Sequence, residues 1–265
     1  DVVDTSDSST IGRFINLSAP SKAELWEQSQ LSYSSMDPNT ATGIALDNIV
    51  QYGAIGRLPA SYSIVTGLFK GDNGVSISLG SIVGANTHPN TFATTASIAL
   101  TPTLASGIDV SVNTIANATD YTITYSLSSV STNTVTFTSD GSATEAEILA
   151  GLSAEILSAH PLLVATVVLS TLEIRKADVF ATSTFSISSN LTIDSVLKLG
   201  TLRAETIGVI SAEANSLAVI KTPSLGWDTV TNPLAAIEGR TVETDEELRL
   251  RFRDTKFERS SNILD

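Results

Sequence analysis

Two histidines, His88 and His160, are the only imidazoles available for general-base or metal-ligand chemistry. His88 lies in the turn-like run "THPN". His160 ends a helical run just before Pro161, where a cation suits the carbonyl end of a helix. Neither has a second histidine or a carboxylate at ligand spacing, so turn and C-cap roles account for both. Asp37, Asp47, Asp72 and Glu173 are the carboxylates that a pair acting across a glycosidic bond would draw on. Turn formation and solubility explain them more simply. Asp72, Asn73 and Gly74 resemble the start of a calcium loop but lack its spacing and its distal glutamate, which leaves a turn. No G-x-S-x-G, Walker, G-x-G-x-x-G or H-E-x-x-H pattern occurs. No catalytic residue, metal site or cofactor is therefore expected, and the chain reads as a non-enzyme. Of the two tryptophans, Trp26 sits on the apolar face of a predicted helix and reads as a core anchor. Trp227, in "SLGWDTVTNP", stays open between core, interface and exposed loop.

Charge concentrates instead in "VETDEELRLRF", residues 242–252. Thr244 and Glu247 have the spacing of a capping box, in which each side chain satisfies a backbone N–H of the other. Asp245, Glu246 and Glu247 fill the first turn, where the helix dipole favours acids. Asp245 with Arg249, and Glu247 with Arg251, are acid-first pairs four residues apart. A solvated, capped helix explains each of these charges. The apolar residues are less easily satisfied. Leu248 and Phe252 share a face, while Leu250 and Phe257 lie nearly opposite. A helix apolar on two sides is buried between layers or meets a partner. Trp227, Leu248, Leu250, Phe252 and Phe257 are thus the candidate interface residues. The bases Arg240, Arg249, Arg251, Arg253, Lys256 and Arg259 are matched by acids between Glu238 and Glu258, so they form no phosphate-binding patch.

Composition narrows the function further. The net charge of −13 repels a phosphate backbone, and no basic, aromatic-interleaved stretch opposes it, so nucleic-acid binding is not expected. Cysteine is absent, which excludes disulfides and thiolate chemistry. No apolar run approaches the roughly 20 residues of a membrane span, so no direct membrane insertion is expected. Only 6% of residues are aromatic, so the cores must be built from Val, Ile, Leu and Ala. The triplets beginning at Asn16, Asn117 and Asn190 are near chance in a Ser/Thr-rich chain.

The elements that position these residues follow from period. "IGRFINLSAPSKAELWEQSQLSYSSM" reads as helix, with Ser21 and Glu24 spaced as a capping box. "IALDNIVQYG" reads as a second helix, with Thr42 as N-cap, Leu46, Ile49 and Val50 on one face, and Gly53 at its end. From Ser61 the period drops to two and strands dominate. "GSATEAEILAGLSAEILSAHP" is the clearest helix. Thr144 and Glu147 cap it, Ile148, Leu149, Leu152 and Ile156 form its stripe, and Pro161 stops it. The fold class is α+β and β-rich. It comprises an N-terminal arm and helices (1–60), a β-rich domain (61–104 plus 201–235), an inserted small α+β domain (105–200), and a capped C-terminal helix opening a further region (236–265).

Three segments carry a family resemblance. "GRTVETDEELRLRF" resembles the G-x-x-x-E-T-D-E-E-L-R-x-R signature of baseplate J-like proteins, the wedge components of contractile-tail phages and related injection machines. "GWDTVTNPLAAIEG" is similar to the run that precedes that signature. "DPNTATGIALDNIVQYGAIGRLPAS" is similar to the family's N-terminal D-P-x-T-A-T-G-x-A-L-D segment, with its later G-x-x-R-x-P-A. The resemblance implies a structural protein of the virion tail baseplate, assembled in the host cytoplasm, with no catalytic residues. It also implies homodimers within each wedge, contacts with other wedge proteins, and a ring around the hub. Composition alone leaves a second expectation, a β-rich surface adhesin or glycan-binding module, for which Trp227 would be the residue to test.

Overall fold

A computed structural model describes residues 5–7, 9–85, 88–126 and 132–261, the stretch 256–261 by its backbone only. Strand outweighs helix, 37% against 25%, and the sheets are antiparallel, so the protein is α+β and β-rich with helices at both ends. The chain divides into two compact units. One joins residues 1–60 to 242–265, and the other is 61–241.

The first unit contains three helices. Helix α1 spans Thr10–Ser34, and Ser9 accepts the Gly12 N–H at its start. Ser21 and Glu24 therefore lie in its interior, and the capping box expected there does not form. Pro20 also lies inside α1. A proline lacks the N–H of one helical hydrogen bond, and the turns on either side hold the run together. Among described residues α1 buries only Gly12. Trp26, expected in the core, is 78% exposed, because among the described residues the apolar stripe of α1 meets no packed layer. Helix α2 (Gly43–Gln51) buries Leu46 and Val50, and helix α4 (Asp245–Ser261) buries Leu248 and Phe252. With Ala41 and Ile55 these side chains form a separate small core. After α2 the left-handed residue is Ala54 (φ 55°), not Gly53. Gly53 serves a different need. A Cβ there would sit 2.8 Å from the Phe252 ring.

The second unit is built on one long strand. Strand β12 (Leu191–Ile207) pairs along one edge with β1 (Tyr62–Asp72), which in turn pairs with β14 (Trp227–Thr231). Its other edge is shared end to end by β6 (Gly107–Val112), along Leu191–Leu197, and β4 (Thr91–Thr94), along Leu202–Ala204. Beyond β4 come β3 (Ile82–Ala85) and β13 (Leu217–Ile220). Beyond β6 come β10 (Thr171–Lys176) and β9 (Leu163–Val168). Strands β2 (Ser76–Ile77) and β5 (Ile98–Ala99) pair by themselves. A three-stranded sheet is made by β7 (Asp120–Ser126), β8 (Thr132–Thr138) and β11 (Phe185–Ile187). Helix α3 (Glu145–Ala159) buries Ile148, Leu149, Leu152 and Ile156, and Thr144 and Glu147 exchange both capping-box bonds at its start. At Gly151 a Cβ would meet the Phe137 ring of β8 at 2.2 Å, so glycine allows that close approach.

Position 200, the expected end of an inserted domain, falls inside β12. That strand carries pairs on both sides of the expected boundary, and 61–241 forms one compact unit with a shared core. The expectation followed turn signals and composition. A seventeen-residue strand that changes partners halfway along leaves no such mark.

Candidate functional site

The charged stretch at the start of α4 is placed in the first unit. Thr244 N–H donates to Glu247 Oε2 at 2.8 Å, and Glu247 N–H donates to Thr244 Oγ1 at 3.3 Å, a reciprocal cap. The other charges do not pair along the helix as the spacing suggests. Asp245 turns to the N-terminal segment. Its Oδ2 accepts the Gly43 N–H at 2.9 Å, and its Oδ1 accepts Arg57 Nη2 at 2.6 Å. Thr42, the expected N-cap of α2, makes no side-chain cap bond, and the carboxylate of Asp245 stands at that helix start in its place. Arg249 donates to the carbonyls of Pro38 (3.1 Å) and Ala41 (2.6 Å). Arg251 forks onto Glu243, both bonds 2.7 Å, and reaches the Gly56 carbonyl at 2.7 Å.

Arg57 closes the arrangement. Its guanidinium donates to Asp47 Oδ1 (2.8 Å), the Glu243 carbonyl (2.7 Å) and Asp245 Oδ1 (2.6 Å). Glu243 is buried, and its Oε2 also accepts the Leu58 N–H at 2.9 Å. A planar five-donor fork suits this combination of carboxylates and carbonyls in a way that a lysine ammonium does not. Residues 37–58 and 243–251 thus form one clamp over the small core of Leu46, Val50, Leu248 and Phe252. Loop carbonyls and a helix N-terminus that would otherwise go unsatisfied are the physical reason for the charge density.

The clamp shifts its ionisable groups. The Arg251 guanidinium holds the Glu243 carboxyl below the usual range, outweighing a burial effect that would raise it. The Gly43 N–H, then Arg57, holds Asp245 below its usual range. Hydrogen bonds to Asp47 and Asp245 raise Arg57. A folded carboxylate with a depressed pKa stabilises the fold above the unfolded-state value, and that stability is lost as pH falls through the folded value. Unfolded Asp and Glu titrate near 3.9–4.3. The melting temperature of the first unit is therefore expected to be flat above about pH 5 and to fall steeply toward about pH 3. Circular dichroism melts across that range check this, with Glu243→Gln reducing the slope.

Beside the clamp, Pro38, Asn39, Glu246, Arg249, Leu250, Phe252 and Arg253 line an open cavity of about 460 Å³. Leu250, placed by its spacing on a second apolar face, is 49% exposed on this rim. Among the described residues of α4, Leu248 and Phe252 are buried on one face. Phe257 lies outside the residues whose side chains are described. Trp227 belongs to the other unit. It is buried there, its ring 5.8 Å from that of Phe69, and its Nε1 donates to the Thr229 carbonyl. Of the candidate interface residues, Leu248, Phe252 and Trp227 are buried and Leu250 is exposed. Arg57 and Glu243 were missed as site residues, and Asp47 was weighed only as one of four carboxylates that turns and solubility explain. Their signal was the arginine of the "GRLPAS" segment, a lone base that needed partners.

A second charged cluster lies within 61–241. Asp109 on β6, its side chain 7% exposed, pairs with Arg175 of β10 and with Lys70 of β1 at 2.8 Å, and accepts the Ser195 hydroxyl at 2.5 Å. Burial alone would raise its pKa. Hydrogen bonds from Lys70 and Ser195, with the charge of Arg175, overcome that and hold it low. The carboxylate thereby ties β6 to β1, β10 and β12. Among the described residues no group of three or more His, Asp or Glu is placed to hold a metal, and no helix is long and apolar enough to cross a membrane. No protein-family model matches the chain, and no curated protein matches it.

Proposed function

We propose that the protein is a structural component of a contractile phage tail baseplate, a wedge protein linking hub-proximal and peripheral parts through self-association and contacts with other wedge proteins. The observation that carries this reading is α1. Phe14, Leu17, Leu25, Trp26, Leu31 and Tyr33 are each 63–80% exposed on one 25-residue helix. Large apolar side chains in that number on one element mark a contact surface. The resemblance adds support, because its first and last segments supply the two halves of the clamp, Arg57 and Gly43 from one, Asp245 and Arg249 from the other. An assembly part needs rigid joints more than it needs chemistry. The glycan-binding alternative rests on composition, and Trp227, the residue that would test it first, lies inside the core of 61–241.

Co-sedimentation with purified tail baseplates tests the proposal. The chain is expected to pellet with them, and Trp26→Asp combined with Tyr33→Asp is expected to weaken association by at least about tenfold with the helix content unchanged. Failure of the unaltered chain to associate, together with its absence from tail density, overturns the reading.

A further inference from the structure

We infer that the free edge of β9 is a self-association site, where a second copy of this chain adds its own β9 antiparallel and extends the sheet across a twofold axis. The inference stands on the geometry of 61–241 and does not rest on the baseplate reading.

Strand β9 ends the order β12-β6-β10-β9. Its neighbour β10 covers one edge, with Val164 opposite Arg175 and Thr166 opposite Glu173. The Ala177 N–H donates to the Leu162 carbonyl at 3.0 Å, which marks that pair as hydrogen-bonded. Antiparallel ladders alternate, so Val164, Thr166 and Val168 direct their backbone groups to β10, while Leu163, Ala165 and Val167 direct theirs outward. Of the outward groups, the Leu163 N–H is taken by the His160 carbonyl, and the Ala165 carbonyl accepts the Ser153 hydroxyl at 3.0 Å. Among the described residues the Ala165 N–H, both groups of Val167 and the Leu163 carbonyl have no partner, and the Ala165 carbonyl keeps a second lone pair.

Natural sheet edges are guarded by lysine, proline, bulges or covering elements. Residues 162–170, "LLVATVVLS", contain no charge and no proline. Leu162, Val164, Val167 and Val168 are all exposed. A register that sets Ala165 opposite Ala165 of the second copy uses the groups that are free. Val167 N–H meets the Leu163 carbonyl and Ala165 N–H meets the Ala165 carbonyl, each twice by symmetry. On the sheet face away from α3, the same register sets Val164 against Thr166 and Leu162 against Val168, apolar or β-branched pairs that stabilise adjacent strands.

Helix α3 supplies a second layer. The bond from Ser153 to Ala165 fixes which flank of α3 lies over the edge. At 3.6 residues per turn, Ala146, Ala150 and Leu157 fall within about 60° of Ser153. All three are exposed, and none is charged. A twofold axis through Ala165 brings this flank beside its own copy. Elsewhere a chain of net charge −13 repels itself, and here no acid meets another. The strand edge and helix flank together bury on the order of 600 Å² per copy, the low end for a specific interface. A dimer that forms with rising concentration is the expected state.

The full-length chain tests this by sedimentation velocity from about 1 to about 200 μM, the range for an interface of this size. A monomer–dimer equilibrium is expected. Val167→Pro removes one outward N–H without touching the bonds to β10, and Ala150→Glu charges the helix flank. Each is expected to weaken dimerisation at least about tenfold while leaving the melting temperature nearly unchanged. The absence of cysteine permits a clean check. Ala150→Cys should cross-link with a short bismaleimide, and Ser158→Cys, on the far flank of α3, should not. A monomer throughout the range overturns the inference. So does a dimer that both Val167→Pro and Ala150→Glu leave intact, including one abolished only by changes on α1.

Discussion

Truncating Leu248 to alanine is expected to lower sharply the unfolding midpoint of the unit made of residues 1–60 and 242–265 while leaving that of 61–241 in place. Leu248 is fully buried against Ala41, Leu46, Val50, Ile55 and Phe252. Loss of a buried leucine costs about 2–5 kcal/mol, more where the surroundings cannot collapse into the cavity. Here the walls are α2 and α4, held apart by the clamp at Arg57 and Arg251. A unit of this size has a total stability of roughly 5–10 kcal/mol, and α1 contributes almost no burial to it. Urea denaturation followed by tryptophan fluorescence separates the outcomes, because Trp227 reports on 61–241. Its transition is expected to stay in place while the helical circular-dichroism signal falls early. Leu250→Ala, at the exposed rim of the cavity, is expected to change stability by less than about 0.5 kcal/mol.

Replacement of Asp109 by alanine is the second large effect. The side chain lies between Lys70 and Arg175, and Ser195 donates to it. Removing the shared carboxylate leaves the two cations at the join of β1, β12, β6 and β10 with the longer, partly exposed contacts to Glu173, 4.0 Å from Lys70 and 3.5 Å from Arg175. Breaking a fully buried pair costs about 3–5 kcal/mol. Lys70 and Arg175 keep partial exposure, at 31% and 22%, so water screens the loss and about 2–3 kcal/mol is expected. The unfolding midpoint of 61–241 in urea is the measurement. A companion variant, Lys70→Met with Arg175→Met and Asp109→Leu, removes all three charges and is expected to recover much of the loss. If Asp109→Ala alone were silent, the cluster would be a surface decoration.

The elements were legible in the sequence where one periodicity governs one face. Helix α3 shows this, since Thr144, Glu147 and the stripe Ile148–Leu149–Leu152–Ile156 are local information. The α+β, β-rich class followed from the same signals. The partners of charged residues were not legible. Asp245 has Arg249 four residues away and bonds Arg57 instead. An exposed i,i+4 pair is worth only a few tenths of a kcal/mol, whereas a guanidinium that satisfies a carbonyl and two carboxylates avoids leaving buried acceptors unmet. Such partners lie far away in sequence and leave no spacing rule. Trp26 failed for the opposite reason. Its apolar face is real, and helical spacing cannot tell whether the layer that covers it belongs to the same chain.

The boundary between the two units also sets an order of events during synthesis. The first unit joins residues 1–60 to 242–265, with the whole of 61–241 between them. While a ribosome is still making that stretch, Leu46 and Val50 have only Ala41 and Ile55 of their core beside them, because Leu248 and Phe252 do not yet exist. Closing a loop of about 180 residues from a disordered chain would cost roughly 4–5 kcal/mol. Folding of 61–241 removes that cost, because Ser61 N–H donates to the Arg240 carbonyl at 2.9 Å and so brings entry and exit side by side. A nascent chain stalled before residue 248 should therefore carry a finished β-rich unit and an open N-terminal segment. Protease protection of residues 37–58 would then appear only when α4 has left the exit tunnel.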